Sequence, residues 1–400
     1  MKAIILAAGE GTRMRPLTHN RPKVMLPLAN KPILEHLLIE TSEAGIKDFI
    51  FVVGYRDEQI RNYFGNGERW QVNITYVTQR KQLGTTDAVK MIEGQVKGNF
   101  LMMNGDIIVR HQDIQSLLAK DVITMGVFTV EDTSELGVVT IDNGEITHIY
   151  EKMKNPPSHT ANAGVYLLTP DIFSAIPQTV KSLRGEYEIT DTLQLLLEQG
   201  YHLSCHELGY WLDLSYPWNL LDANETMLEM LEADSFGEIE DNVIIKGKVS
   251  IGQGSVIRAG SYIIGPVIIG QNCDIGPNCY IRPATAIGNN CHIGSAVEVK
   301  NSIVMQSSKI PHHNYVGDSV IGEGCNLGAG TKIANLRLDK KNVTAAGTDT
   351  GRRKLGAIIG DDVEIGINTS INVGCIIGNK TCIGPGATVS GVFLPGSRVL

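Results

Sequence analysis

The sequence predicts two architectures in one chain: a mostly parallel α/β domain, then a parallel β-helix. Three observations predict this. Seventeen of the 43 glycines fall in residues 1–236 and twenty-six in residues 237–400, while Trp70, Trp211 and Trp218 all lie in the first part. From Ile245 onward a branched aliphatic residue returns every six positions. Before that point, short apolar runs alternate with helix-like segments.

The repeat is the clearest signal. Ile245, Ile251, Ile257, Ile263, Ile269, Ile275, Ile281, Ile287 and Ile293 keep the spacing, and Val299 continues it. After a slip the phase resumes at Ile321, Leu327 and Ile333, then at Ile359, Ile365, Ile371, Ile377, Ile383 and Val389. Neither a helix nor a simple strand produces this period. A hexapeptide repeat is the signature of a parallel β-helix, in which each hexad supplies one short strand and one turn and three hexads close a coil. Cys273, Cys279 and Cys291 keep the same spacing, and Cys325 and Cys375 sit two residues before a periodic aliphatic, so they read as small buried residues. No CxxC pair suggests a metal, and free thiols are expected. Two irregularities interrupt the repeat: the polar, basic insert Asn335–Gly356 and the stretch Lys309–Tyr315 with His312 and His313. Breaks in a regular solenoid are where function tends to be placed.

In the first part, residues 2–8 read as a strand, residues 32–44 as an amphipathic helix, and 48–53 as a second strand. Residues 85–93 read as a helix and 100–103 as a third strand. Alternation of this kind argues for a mostly parallel sheet. A helix over residues 218–232 would end the first part. The expected boundaries are residues 1–228 for the α/β domain, 229–238 for the end of the connecting helix, and 239–400 for the β-helix.

Charge excludes some functions. Thirty-five Lys+Arg against 43 Asp+Glu gives a net charge of −8 over 400 residues. That argues against a dedicated nucleic-acid or anionic-membrane binder. No apolar run reaches the length of a membrane span, and the opening Lys2–Leu6 stretch lacks the features of a secretory signal, so the cytoplasm is expected.

Ligands of open α/β sheets bind beyond the carboxyl ends of the strands, and the informative residues fall there. Leu6-Ala7-Ala8-Gly9-Glu10-Gly11-Thr12-Arg13-Met14-Arg15-Pro16 is a strand running into a glycine loop with cations, followed by Arg21-Pro22-Lys23. Backbone N–H groups of such a loop cradle phosphates. Met14 excludes a dinucleotide fingerprint, and the absence of Gly-Lys-Ser/Thr excludes a Walker loop. Asn104-Gly105-Asp106 follows an apolar strand, and Asp213 follows Trp211-Leu212. Two carboxylates with substrate phosphates are the usual setting for Mg2+.

These strings, with Gln79, Gly84-Thr85, Glu151-Lys152, Asn162-Ala163-Gly164 and the Asp213 segment, occur in order over residues 1–230 and resemble the sugar-1-phosphate nucleotidylyltransferases. The hexads with Ile310-Pro311-His312 and Tyr315-Val316-Gly317-Asp318 resemble the acetyltransferase half of bifunctional enzymes that make nucleotide-activated N-acetylglucosamine, in their archaeal form. The resemblance spans essentially the whole chain.

It implies a Rossmann-like nucleotidyltransferase domain and a left-handed β-helix. It implies that Leu6, Ala8, Gly9, Gly11, Gln79, Gly84 and Thr85 hold the nucleotide. Arg13 and Lys23 would neutralise phosphates, and Asp106 and Asp213 would bind Mg2+. Gly137, Glu151 and Asn162 would hold the sugar, with Lys152 near its phosphate. Arg184–Asp191 resembles a stretch beside the sugar and equally reads as a helix start. In the β-helix, His312 would be the general base toward a sugar amine. Arg282, Lys300, Tyr315, Asn326, Asn335 and Lys341 would bind the sugar phosphate and acyl centre. Relative to the bacterial pattern the sequence carries Ile367 and Pro385 where small residues are usual, and it stops at Leu400 without a basic tail.

The expected substrates are UTP or dTTP, a sugar 1-phosphate (N-acetylglucosamine 1-phosphate foremost) and acetyl-CoA, and the expected assembly is a homotrimer or a multiple of it. Two other readings fit the same residues. One keeps nucleotidyl transfer and uses the β-helix for assembly or regulation. The other is a non-catalytic nucleotide-sugar-binding subunit.

Overall fold

The structure is a computed structural model and describes all residues except Ser134, Glu135, Lys152, Lys154 and Leu400. By internal contacts the chain divides into two units. The first comprises Met1–Glu10, Pro22–Met25 and Ile33–Asp213. The second comprises Gly11–Arg21, Leu26–Pro32 and Leu214–Leu400. Among the described residues no helix is long and apolar enough to cross a membrane.

The first unit is built on strands β1 (Lys2–Ala7), β2 (Asp48–Val53), β3 (Asn73–Thr78) and β4 (Phe100–Asn104), followed by the short β5 (Ile107–Val109). Beyond them come β6 (Thr124–Thr129), β7 (Val138–Asp142), β8 (Glu145–Tyr150), β9 (Thr160–Leu168), β10 (Ser204–Glu207) and β11 (Trp211–Asp213). The main sheet runs β3-β2-β1-β4-β9-β6-β10-β8-β7. Its first four strands are parallel, and β9 joins β4 antiparallel, so the second half of the sheet is mixed. The parallel half is buried on both faces. In β1, Ala3, Ile5 and Ala7 enter one core while Ile4 enters the other, as period-two alternation requires. Helices α1 (Ile33–Glu43), α2 (Asp57–Phe64) and α4 (His111–Leu118) cover one face. Helices α3 (Thr85–Lys90) and α5 (Ile189–Glu198) cover the other.

The second unit holds helix α6 (Asn219–Glu229) and, among the described residues, three parallel sheets of nine, eight and eight strands. We call these the first, second and third faces in the order the chain visits them. Ile251 pairs with Ile269, and Ile269 with Ile287, eighteen residues per coil. The predicted aliphatics stack into one buried column from Ile257 to Val389. Each such side chain contributes about 1.5–3 kcal/mol of burial.

The slip in the repeat is a local shortening. Ala286 pairs with Ile303, Glu298 with Tyr315, and Ile303 with Val320, seventeen residues apart. The column therefore runs through Val299, Val304, Ile310, Val316 and Ile321. Both lost residues fall at the turn between the second and third faces. The insert leaves from the same turn after Ile333 and returns at Ala357, carrying a Thr344–Ala345 and Thr348–Asp349 hairpin. All seven cysteines are free, and Cys273, Cys279, Cys291, Cys325 and Cys375 are buried.

Candidate active site

In the first unit the predicted nucleotide residues gather where the parallel strands end. The N–H of Tyr55, after β2, donates to the Ala8 carbonyl at 3.1 Å, and Nε2 of Gln82 donates to the same oxygen at 2.7 Å. Gln79 follows β3 and is buried; its Nε2 donates to the carbonyl of Gly84 (3.1 Å) and to Oδ2 of Asp87 (2.9 Å). Both amide hydrogens are thus committed, which leaves Oε1 as an acceptor. Gly84 has φ +113°, and a Cβ there would strike the backbone of Tyr187, so only glycine fits. Thr85 starts α3, and its Oγ1 accepts the Ile189 N–H at 2.8 Å.

After β4 the chain turns at Gly105, whose N–H donates to the Leu6 carbonyl at 2.9 Å. A Cβ there would lie 2.7 Å from that oxygen. The turn delivers Asp106, whose Oδ2 stands 2.5 Å from Nζ of Lys23. β11 pairs antiparallel with β5 so that Asp213 faces Ile107, the residue after Asp106. Asp213, at the end of β11, is therefore paired one residue beyond Asp106, which sits in the turn that leads into β5. Two carboxylates offer hard oxygen donors of the kind a divalent metal takes, and Mg2+ seldom uses an all-protein cage.

The predicted sugar residues also converge. Oε1 of Glu151 accepts from Nη2 of Arg184 at 2.9 Å, and Oε2 accepts from Oγ1 of Thr190 at 3.0 Å. A Cβ on Gly137 would lie 3.1 Å from that Oε2. The Asn162 N–H donates to the Gly137 carbonyl at 2.9 Å, and its Nδ2 to the Tyr166 hydroxyl at 2.6 Å. Burial pushes the Tyr166 phenol well above its ordinary pKa, so it stays neutral. Arg184 also bonds Glu188 at 2.7 Å. The Arg184–Asp191 stretch is thus a helix start, at α5, and a partner of Glu151 at once. Burial, then the Glu188 charge, raises the Asp191 carboxyl. Lys152 lies outside the described residues.

Gly11 and Arg13 count with the second unit. Gly11 adopts φ 67° before the Thr12–Met14 turn, and the Arg13 guanidinium lies 5.5 Å from the centre of the Tyr216 ring.

On the β-helix the residues divide between places. Arg282, Lys300, Tyr315 and Asn335 assemble along the second face and its turn to the third. Nη1 of Arg282 donates to Oε1 of Glu298 at 2.9 Å, and this partner raises the guanidinium pKa further. Asp318, 2% exposed, receives Nζ of Lys300 at 3.2 Å, Nδ2 of Asn301 at 2.8 Å and Nδ2 of Asn335. The Asn335 amide also donates to the Tyr315 hydroxyl at 3.1 Å. A Cβ on Gly317 would lie 2.6 Å from that hydroxyl, so a glycine is needed for the cluster to close. His312 is exposed at the turn between the first and second faces, next to His313 at φ 51°. Asn326 is on the first face and bonds Glu364 at 3.1 Å. Lys341 is exposed in the insert. Sequence reasoning passed over Glu298 and did not assign Asp318 a role. Their only signals were alternation with Lys300 and the Gly317-Asp318 turn.

The nucleotidyl transferase family matches residues 2–230, and the GMPPB C-terminal domain matches residues 263–382. A bifunctional sugar-1-phosphate nucleotidylyltransferase/acetyltransferase of Sulfurisphaera tokodaii is 41% identical over 398 residues, 98% of this chain and 97% of that protein. A bifunctional protein GlmU of Methanocaldococcus jannaschii is 41% identical over 389 residues, 96% of this chain and 93% of that protein. A solved UDP-glucose pyrophosphorylase complexed with UDP-glucose superposes with a TM-score of 0.52 at 26% identity, covering 57% of this chain and 99% of that one. With both halves matched and the strand-end cluster and solenoid in place, the chain belongs to the family of bifunctional sugar-1-phosphate nucleotidylyltransferase/acetyltransferases.

Proposed function

We propose that residues 1–228 transfer a nucleotidyl group from UTP or dTTP to a sugar 1-phosphate, N-acetylglucosamine 1-phosphate foremost, and release pyrophosphate. Residues 239–400, reached through 229–238, transfer an acetyl group from acetyl-CoA to glucosamine 1-phosphate. The reading places both reactions in the cytoplasm. The observation that carries it is the convergence of Lys23, Asp106 and the Asp213 strand at the carboxyl ends of the parallel strands.

Attack of a sugar phosphate on the α-phosphorus joins two anions in an in-line displacement, so the protein's task is to orient them and offset repulsion. Lys23 and Arg13 supply positive charge. Asp106 and Asp213 would hold Mg2+, which screens the phosphates when bound. The backbone of Leu6, Ala8, Gly9 and Gly11, with Gly84 and Thr85, lines the nucleotide. Oε1 of Gln79 accepts the N3–H that uracil and thymine share, which favours these bases over cytosine without separating them. Glu151 accepts from a sugar hydroxyl, beside Gly137 and Asn162, and the family resemblance assigns Lys152 to the sugar phosphate.

In the second reaction His312 takes the proton that the amine loses as it attacks the thioester carbonyl, and the thiol of coenzyme A leaves. Arg282, Lys300, Tyr315, Asn335 and Lys341 bind the sugar phosphate and acyl centre, with Asn326. His312 and the Asp318 cluster sit at different turns of one coil. A threefold assembly brings turns of neighbouring chains together, and we propose a homotrimer for that reason.

The test is one coupled assay with glucosamine 1-phosphate, acetyl-CoA, UTP and Mg2+, following free thiol and pyrophosphate separately. Release of both, with pyrophosphate increased by acetyl-CoA, is expected. Pyrophosphate without thiol would overturn the acetyl-transfer half.

A further inference from the structure

Asp361 lies at the turn between the third and first faces and is 3% exposed. It is fixed to the coils on either side of its own: Oδ1 accepts the Glu323 N–H at 2.9 Å, and Oδ2 accepts from Nδ2 of Asn379 at 3.4 Å. The same Oδ2 accepts from Nδ2 of Asn20 at 3.0 Å and from Nη2 of Arg21 at 2.9 Å. Glu323 adds a second carboxylate to Arg21 at 3.1 Å, and Nη1 of Arg21 donates to the Met305 sulfur at 3.4 Å. Arg21 is 6% exposed. An arginine this deeply buried, met by two carboxylates, is a directional anchor rather than a surface pair.

What it anchors is the segment Gly11–Arg21, which lies in the same unit as Asp361. The segment has one 3-10 turn, Thr12–Met14. Thr18 Oγ1 closes it onto the Gly11 carbonyl at 2.8 Å, and Met14 and Leu17 are fully buried. Arg13 rests on Tyr216 at one end and Arg21 on Asp361 at the other. After Pro22–Met25 the next segment, Leu26–Pro32, again belongs to the second unit. There Asn30 Nδ2 donates to the Ile287 carbonyl at 2.7 Å, and the Ala29 N–H to Oδ1 of Asn224 at 2.9 Å. Lys23 therefore stands in a four-residue span, Pro22–Met25, flanked in the chain by two segments that belong to the second unit.

We propose that Asp361 is a positioning residue for nucleotidyl transfer: by holding Asn20 and Arg21 it sets the conformation of the loop that carries Arg13 and leads into Lys23. The inference rests on the nucleotidyl-transfer reading. A loop without regular structure samples many conformers when untethered, and apparent affinity falls by the fraction that is competent. The β-helix thus has a part in the first reaction besides its own.

The experiment compares full-length wild type with Asp361→Asn and the milder Glu323→Gln. It reads nucleotidyl transfer, acetyl transfer, thermal midpoint and hydrogen exchange. Asp361→Asn is expected to lower kcat/KM for the NTP at least tenfold, mostly through KM. Acetyl transfer stays within twofold, and the Met14–Arg21 amides exchange faster while the Ile257–Val389 column does not. Adding Arg21→Met to Asp361→Asn is expected to cost less than a further twofold, because both remove one link. Nucleotidyl transfer within twofold of wild type in both carboxylate variants overturns the proposal. So does a parallel fall of both activities with the thermal midpoint, since Asp361 then only supports the fold. Wild type that releases no pyrophosphate overturns the functional reading and this one with it. Unchanged exchange in Asp361→Asn overturns this one alone.

Discussion

Nζ of Lys23 stands 2.5 Å from Oδ2 of Asp106, closing a separation of 83 residues. Lys23 is nearly buried, while the Asp106 side chain is one-third exposed. In the proposed function, phosphate and Mg2+ would offer each member of the pair a new partner. Lys23→Met is therefore expected to lower nucleotidyl-transfer kcat/KM by about 100-fold or more, the scale of a lost transition-state donor. Asp106→Asn is expected to raise the Mg2+ concentration needed for half-maximal rate. A Mg2+ titration of pyrophosphate release in both variants checks this, and an unchanged Mg2+ midpoint in Asp106→Asn contradicts the assignment.

Glu151 is held by Arg184 and Thr190, so its carboxylate is fixed in one orientation, the one in which the proposed function would have it meet the sugar. Glu151→Gln loses a charge-assisted bond worth about 1.5–3 kcal/mol. A rise of at least tenfold in KM for the sugar phosphate is expected, with KM for the NTP within twofold. Initial-rate kinetics with each substrate varied in turn decide it.

Gly105 and Gly84 are needed where backbone meets backbone. Gly105→Ala would push a methyl to 2.7 Å from the Leu6 carbonyl oxygen. Overpacking of this kind costs about 1–3 kcal/mol. We expect a thermal midpoint lower by several degrees and loss of nucleotidyl transfer, with acetyl transfer retained at low temperature. Scanning calorimetry with both assays tests it.

Asp318 gathers Lys300, Asn301 and Asn335 at the shortened turn. Asp318→Ala leaves a partly buried lysine without its partner, a loss on the order of 3–5 kcal/mol. Thiol release from acetyl-CoA is expected to fall more than 100-fold, while pyrophosphate release from N-acetylglucosamine 1-phosphate and UTP stays within threefold. Equal loss of both would point to misfolding instead.

The thiols make a pH prediction. Burial pushes Cys279 up to about 11, and Cys291, Cys325 and Cys375 up to about 12, from an ordinary value of 9.0. Their folded-state pKa lies above the unfolded one, so their contribution to stability is complete below pH 9 and is lost as pH rises from 9 toward 12. The denaturation midpoint should fall across that window, and Ser at Cys291 and Cys325 should flatten the fall. At pH 8 a thiol reagent should label Cys382, which is exposed, long before the buried five.

Much of this molecule was legible before any coordinates. Six-residue spacing determined the coil, because only a residue pointing inward once per face must be apolar. Strand-end position determined that Gly9, Gln79 and Asp106 share one edge, because parallel strands all finish on the same side. The slip near Val299 was visible, yet its meaning was not. Two seventeen-residue coils, both short at one turn, emerge only from the register of Glu298 against Tyr315 and Ile303 against Val320.

By itself, then, the sequence determined periodicity, the order of elements and the chemistry available, since these depend on local spacing. Only the tertiary structure decided which distant groups meet. It brought Arg184 to Glu151 and Asp318 to Asn335, and it tied Arg21 to Asp361 across 340 positions. Such contacts pair side chains whose separations follow no period. A buried charge is stabilised by whatever partner the fold delivers, and that partner has no signature in the chain around it.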